Sequence, residues 1–153
     1  MNAGDKISKW CSFGEATISP TAIRLGIDNI PNEQQLAAMR YVATEIFDKV
    51  REKFGPMSPT SFFRSPELNK AIGGSSTTSQ HMKGEAIDMV KHGKNKEIFD
   101  FIRNNLVFDQ IVWEYGNELA PDWVHCSRIP QGNRHQVLQC LPGPVYKIFD
   151  LYP

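Results

Sequence analysis

The segment SQHMKGEAID, residues 79–88, places a histidine before a glycine turn and an aspartate inside an apolar strand. Side chains alternate along a strand, so Ala86 and Asp88 share one face and Ile87 points to the other. Asp88 therefore has apolar neighbours and points to a core or a cleft. A carboxylate is rarely buried unless it is paired or binds a metal. Taken alone, Asp88 is equally consistent with a salt bridge or a turn cap.

A second segment, DWVHCS at residues 122–127, carries a histidine in the middle of an apolar strand. A single histidine there, such as His125, is commonly a hydrogen-bonded core residue. Considered with His81 and Asp88, it completes a set of two nitrogen ligands and one oxygen ligand. Catalytic zinc sites use three such ligands and leave a fourth position open for water. The two segments together predict a zinc site at His81, Asp88 and His125.

Two further residues are candidates for chemistry at this site. Asp122 lies three residues before His125, at the junction of a loop and a strand, and we predict that its carboxylate acts as the base for the attacking water. The alternative interpretation of Asp122 is an ordinary aspartate of the loop without a catalytic role. Arg64 lies at the end of a predicted strand, where it could bind an anionic substrate group or a developing oxyanion. The alternative interpretation of Arg64 is that it forms an ion pair at the surface.

The flanking sequence predicts an α+β fold. Asn32 and Gln35 form a capping-box pattern that begins an amphipathic helix, and Gly55-Pro56 ends it. Helices come first and strands dominate later, which favours a small, largely antiparallel sheet with helices packed on one side. We predict one domain, 1–153, with an N-terminal arm (1–31), a catalytic core (32–128) and a C-terminal tail (129–153). Further helices are predicted at 67–72 and 96–106, and strands at 59–63, 86–90, 109–115, 123–128 and 145–151.

Composition excludes several classes of function. The chain has 153 residues, with 17 Lys plus Arg and 17 Asp plus Glu, so no net charge attracts it to nucleic acid. No stretch approaches the ~20 apolar residues of a membrane span. The first residues lack a secretory signal, so we expect a protein that is cytoplasmic as synthesised. Three cysteines without a C-x-x-C pair indicate reduced thiols.

The two segments resemble the zinc D-Ala-D-Ala carboxypeptidase family, which shares a superfamily with lysostaphin-type peptidases and the hedgehog domain. The string S-x-H-x-x-G-x-A-x-D at 79–88, followed by W-V-H-x-S at 123–127, carries the resemblance. It extends through FRSPELN at 63–69 and FDQ at 108–110. The resemblance covers most of residues 13–128, and the two strings together are a specific signal.

The resemblance implies a role for each matching residue. The metal ligands of the family correspond to the three residues predicted above, its acid/base to Asp122 and its substrate-polarising arginine to Arg64. Ser79 corresponds to a substrate contact or to a residue that supports the ligands. Glu114 and Trp113 lie near the site by resemblance, without an assigned role.

The implied function is zinc-dependent hydrolysis of peptidoglycan stem peptides, as a D-Ala-D-Ala carboxypeptidase or an L-Ala-D-Glu type endopeptidase. A small domain of this kind resembles a monomeric phage or prophage endolysin that reaches the cell wall after a phage pore-forming protein opens the membrane. The alternatives are a non-catalytic, zinc-containing wall-binding module and a peptidase built into a virion. Asp122 favours an enzyme, because a binding module needs no base.

Overall fold

The computed structural model describes residues 1–73, 75–143 and 145–149. Its central feature is a six-stranded sheet with the strand order β1-β2-β4-β3-β5-β6. All neighbouring strands are antiparallel except β3 and β5, which are parallel. This confirms the predicted α+β class with a largely antiparallel sheet. The strands are β1 (Pro59–Ser61), β2 (Ala86–Met89), β3 (Gln110–Glu114), β4 (Trp123–Ser127), β5 (Gln136–Leu141) and β6 (Val145–Ile148).

The helices cover one face of the sheet through a shared apolar core. As predicted, Asn32 caps a long helical segment through a reciprocal capping box with Gln35, and the segment ends at Phe54. Its buried residues include Met39 and Phe47, which join the core cluster of the sheet. The helices are α1 (Phe13–Thr17), α2 (Pro20–Leu25), α3 (Glu33–Val42), a π-helical turn (Ala43–Phe47), α4 (Asp48–Phe54), α5 (Pro66–Ala71) and α6 (Asn95–Asn105).

The N-terminal arm is more ordered than the prediction of an irregular segment at 1–31. It contains α1, which Ser12 caps through a box with Glu15, and α2, which Ser19 caps. Helices this short are unstable in isolation, so their caps and the burial of one face account for them. Asn29 then ties the arm to the body, since its amide donates to the Phe63 carbonyl at 3.0 Å and its oxygen accepts from the Ser65 N–H at 2.7 Å.

The tail contains a strand that the sequence did not predict. β5 pairs in parallel with β3, and β6 pairs with β5 at the edge of the sheet, where the sequence places its last strand. Residues 150 and 151 of that predicted strand lie outside the described residues. Phe149 is buried against Trp113 and Phe99, with ring centroids 5.2 and 5.0 Å away. The tail is therefore part of the sheet and of the core.

The strand register places residues in rows across the face opposite the helices. Asp88 pairs with His125, which pairs in turn with Val112 on β3. The next row joins Trp123 to Glu114, and beyond Glu114 it continues to Cys140 and Tyr146. Within a strand, the residues of the two rows are two positions apart, as His125 and Trp123 are in β4. The side chains of both rows therefore leave the sheet on the same side.

No helix within the described residues is both long enough and apolar enough to cross a bilayer. Cys11, Cys126 and Cys140 are buried, and each carries a free thiol.

Candidate metal centre

The structure brings the three predicted ligands together at one point. The Nε2 atom of His81 lies 3.2 Å from Nδ1 of His125 and 3.3 Å from Oδ1 of Asp88. Nδ1 of His125 and the same oxygen of Asp88 are 2.9 Å apart. The three donor atoms thus form a compact triangle on the face of the sheet that the helices leave open.

The triangle has the dimensions of a tetrahedral metal site. Zinc binds histidine nitrogen and carboxylate oxygen at ~2.0–2.2 Å, which separates neighbouring ligand atoms by roughly 3.3–3.5 Å in a tetrahedron. The observed separations of 2.9–3.3 Å are close to that edge length. Two imidazole nitrogens and one carboxylate oxygen also form a donor set that suits a divalent metal of this kind. The residues present therefore fit the ion that the sequence predicts.

Local structure fixes the orientation of His81. Its Nδ1 atom lies 2.6 Å from the Phe62 carbonyl oxygen, and a proton donated there leaves Nε2 unprotonated toward the other ligands. His81 lies on a 3-10 turn, Gln80–Lys83, that begins at Ser79. The Ser79 hydroxyl accepts the His81 backbone N–H at 3.3 Å. Ser79 thus holds the turn in place and also lines the adjoining cavity.

Gly84 closes this turn in a conformation that only glycine adopts easily. Its φ is +75°, in the left-handed region. A Cβ atom at this position would lie 2.5 Å from the Gln35 carbonyl oxygen and 2.7 Å from the Met39 side chain. The turn that carries His81 therefore packs directly on α3, so the long helix supports the site.

The protonation states of the ligands suit metal binding. Burial alone would raise the pKa of Asp88, but its contacts with His81 and His125 outweigh burial and hold that pKa well below its usual range. Burial lowers the pKa of His81, although Asp88 opposes this effect. At neutral pH, Asp88 is thus ionised and His81 is neutral, which are the forms that bind a metal ion.

The ligands lie in a cavity of about 560 Å³. Its walls come from three parts of the chain: the segment around α5 and the 3-10 turn, the open face of β2, β3 and β4, and the tail. Arg64 and Ser79 belong to the first part, and Glu114 to the second. The tail contributes Arg134, Leu138 and Tyr146.

Arg64 presents a cation to this cavity. Its backbone N–H donates to the His81 carbonyl at 3.2 Å, which keeps it beside a ligand residue. Its Nη1 atom donates to the Ser75 hydroxyl at 3.4 Å, and its Nε is buried without a hydrogen-bond partner among the described residues. Burial lowers the pKa of the guanidinium, which nevertheless stays charged at neutral pH. An unsatisfied donor of this kind can bind an oxygen atom of a ligand.

The two residues predicted to lie near the site differ in orientation. Glu114 is buried and lines the cavity, and burial raises the pKa of its carboxyl group. Trp113 precedes it in β3 and therefore points to the opposite face, where it packs against Phe99 and Phe149 in the core. Trp113 therefore packs in the core on the face of β3 that lies opposite the cavity.

The structure does not bring Asp122 into the cavity. Asp122 is exposed, and it does not line the cavity. Its backbone N–H donates to the Glu114 carbonyl at 2.9 Å, and its own carbonyl accepts from the Asn95 amide at 2.9 Å. Asp122 lies just before the first residue of β4, at the end of the loop that joins β3 to β4. The predicted role of Asp122 as base gains no support from this position.

Sequence reasoning also missed the part of the cavity that the tail contributes. Leu138 and Tyr146 reach the cavity only because β5 pairs with β3, and Arg134 because it leads into β5. The available signal for β5 was the concentration of apolar residues in 136–141, namely Val137, Leu138, Cys140 and Leu141. Neither that pattern nor the resemblance indicated which strand β5 would join.

An α+β fold whose open sheet face carries two imidazoles and a carboxylate beside a cavity presents a candidate metal centre. Comparison with known families agrees. The model of the family described as Peptidase M15 matches residues 12–127, and the chain belongs to this family of D-Ala-D-Ala carboxypeptidase-like zinc peptidases. No curated protein matches the chain in sequence. The predicted family is confirmed, and the chain is a metallopeptidase by family.

Proposed function

We propose that this protein is a zinc peptidase that hydrolyses amide bonds in peptidoglycan stem peptides. One observation carries the proposal: the compact triangle of His81, Asp88 and His125 lies in a cavity that also holds an unsatisfied guanidinium and a buried carboxyl group. Metal-dependent peptide hydrolysis uses a bound metal, an oxyanion donor and a proton carrier, and these residues could hold the metal and fill the other two roles.

The three ligands would hold zinc through Nε2 of His81, Oδ1 of Asp88 and Nδ1 of His125. When bound there, zinc supplies a Lewis acid that polarises the scissile carbonyl and lowers the pKa of a water molecule. The protein provides protonation states that suit this binding, with an ionised Asp88 carboxylate and a neutral His81 imidazole.

Two carboxylates are candidates for proton transfer, and position favours Glu114. Its carboxyl group faces the cavity one strand from His125, whereas the Asp122 side chain is exposed outside the lining. In the proposed mechanism a Glu114 carboxylate oxygen accepts a proton from the attacking water and returns it to the leaving amine. Asp122, which the sequence suggested as the base, remains the alternative candidate for this role.

Arg64 is proposed to bind the carbonyl oxygen of the scissile bond or a nearby carboxylate of the peptide. The developing oxyanion needs a hydrogen-bond donor, and Arg64 is the candidate because it lines the cavity beside the metal ligands. Ser79 contributes indirectly, because its hydroxyl holds the turn that positions His81.

Peptidoglycan as the substrate is supported by the family and by a cavity of about 560 Å³, within the ~300–1,000 Å³ range of ligand sites. We propose cleavage between D-Ala and D-Ala, or between L-Ala and D-Glu, by a monomer. Release from the cytoplasm through a phage pore-forming partner, as for an endolysin, is part of the same proposal. The alternatives are a virion-associated peptidase and a wall-binding module without activity.

Digestion of purified peptidoglycan followed by mass spectrometry of the fragments tests the function and identifies the bond. We expect about one zinc per chain by elemental analysis and a single type of new peptide end. His125→Ala should abolish both zinc binding and cleavage, whereas Asp100→Asn, a change at a partly exposed residue of α6 outside the cavity lining, should alter neither. Tight zinc binding and wall binding without cleavage would favour the binding module instead.

A further inference from the structure

The tail supplies part of the cavity although it lies outside the family match. The family model ends at residue 127, yet Arg134, Leu138 and Tyr146 line the same cavity as the three ligands. One wall of the cavity therefore comes from the part of the chain that follows the family match. Residues in such a wall are candidates to bind substrate, because they adjoin the reacting groups without belonging to the ligand set.

Arg134 and Leu138 are less suited than Tyr146 to bind a polar ligand. The Arg134 guanidinium is bound to the Asp109 carboxylate through both Nε and Nη2, with Nε 3.0 Å from Oδ1. It therefore serves mainly to hold the hairpin on the sheet. Leu138 offers only apolar surface. Tyr146 is half-exposed at 54%, and its side chain makes a hydrogen bond with the buried Cys140 thiol.

The strand register directs Tyr146 to the reacting groups. Glu114 pairs with Cys140 across β3 and β5, and Cys140 pairs with Tyr146 across β5 and β6. Neighbouring strands are ~4.8 Å apart, so Tyr146 lies two strands from Glu114 on the same face. The guanidinium of Arg64 lies within electrostatic reach of both residues. The phenol therefore faces the cavity close to the groups that are proposed to act on the peptide bond.

The phenol stays a hydrogen-bond donor at all physiological pH values. Burial is the main cause of the raised pKa of Tyr146, and the neighbouring Glu114 carboxyl and Cys140 thiol raise it further. A neutral phenol next to a cationic guanidinium forms a pair of donors that differ in charge. Such a pair suits the oxygen atoms of a peptide, one of which can carry negative charge.

We propose that Tyr146 is a substrate-binding residue, whose phenol donates a hydrogen bond to a carbonyl or carboxylate oxygen of the bound peptide. This inference rests on the proposed function for its substrate class, a short peptide. It makes the β5–β6 hairpin a functional part of the peptidase, with Tyr146 and Arg64 binding oxygens of the same ligand.

The variant Tyr146→Phe tests the inference, because it removes only the hydroxyl and keeps the ring. The probe is the synthetic pentapeptide L-Ala-D-Glu-L-Lys-D-Ala-D-Ala, with zinc-loaded protein. We expect the KM for cleavage, and the Kd from calorimetric titration at low temperature, to rise roughly 3–10-fold, as for the loss of one hydrogen bond. kcat should change less than KM.

Lys147→Ala is the matched control. Lys147 neighbours Tyr146 on β6 but points to the opposite face, where it lines a separate cavity with Trp113. It should leave KM, Kd and zinc content at the wild-type values. The unfolding midpoints of both variants should match wild type. A loss of fold would then be excluded as the cause of the higher KM and Kd of Tyr146→Phe.

The outcomes separate this inference from the proposed function. If wild type cleaves the peptide and Tyr146→Phe binds it equally well, the inference is wrong and the proposed function stands. If wild type does not cleave the peptide, the proposed function fails, and the titration alone decides the inference: weaker binding by Tyr146→Phe supports it. Equal binding by the two proteins, or no binding by wild type, overturns it.

Discussion

At the scale of single residues, Glu114 lines the cavity whereas Asp122 is exposed outside it, and the proposed mechanism therefore gives proton transfer to Glu114. Glu114→Gln keeps the shape of the side chain but cannot accept a proton. We expect zinc content and the free energy of unfolding to stay near wild type while kcat/KM falls by roughly 10²–10⁴, the usual contribution of a general base. Steady-state cleavage assays with parallel metal analysis measure this.

Asp122→Asn is the matched control for that variant. Its carboxylate is exposed, and among the described residues its hydrogen bonds are made by its backbone groups, so activity should stay within about twofold of wild type. A large loss of activity in Asp122→Asn together with an active Glu114→Gln would support the prediction made from the sequence, that Asp122 is the base.

Arg64 offers a second prediction at this scale. Arg64→Ala should retain zinc, yet kcat/KM should fall by at least about tenfold, since one charged donor to the oxyanion is lost. Arg64→Lys should restore only part of the activity, because an ammonium group lacks the planar arrangement of donors. Cleavage kinetics and metal analysis of both variants check this. Unchanged kinetics in the alanine variant would assign Arg64 a purely structural role.

At the scale of elements, the 3-10 turn that carries His81 depends on its contact with α3. Gly84→Ala would force a Cβ atom against the Gln35 carbonyl in a left-handed conformation. We expect a loss of roughly 2–4 kcal/mol in the free energy of unfolding, from backbone strain and overpacking together. Zinc affinity should also decrease, because the turn holds His81.

Gly26→Ala is the control for Gly84→Ala. Its φ is +65°, but no atom lies within 4 Å of the position where a Cβ would stand. It should therefore show backbone strain alone, about 1 kcal/mol, and normal zinc affinity. Urea unfolding and zinc titration of the two variants check both expectations, and equal losses would show that the contact with α3 is unimportant.

At the scale of the whole molecule, the buried Asp109 attaches the tail to the sheet. Its carboxylate accepts from the backbone N–H of Arg134 and from the guanidinium, and these hydrogen bonds lower the pKa of Asp109. A pKa lower in the folded state than in the unfolded state stabilises the fold above the unfolded value, ~3.9 for Asp. This contribution is lost as pH falls through the folded pKa.

Asp109→Asn should therefore destabilise the protein most at neutral pH. Arg134 is about half exposed, so we expect a loss of roughly 1–2 kcal/mol at pH 7, less than for a fully buried charged hydrogen bond. The difference from wild type should persist down to about pH 4 and decrease below it. Denaturant unfolding across this range measures the effect, and a difference that grows toward acid would contradict the assignment.

Much of the fold could be predicted because its signals are local. The capping box at Asn32 and the apolar period behind it lie within one helix, and the ligands His81 and Asp88 lie seven residues apart around a single glycine turn. Strand alternation likewise placed Asp88 on one face. Each of these features depends on residues close together in the chain, where backbone geometry relates position to direction.

The composition of the cavity required the tertiary structure. Glu114 was seen near the site without a role, Asp122 was preferred as the base, and Tyr146 was not considered. Which of them faces the ligands depends on strand register and on the parallel pairing of β3 with β5, strands separated by 21 residues of chain between Glu114 and Gln136. Pairing of this kind is set by how the whole core packs, because many strand partners satisfy the same local pattern of apolar and polar residues.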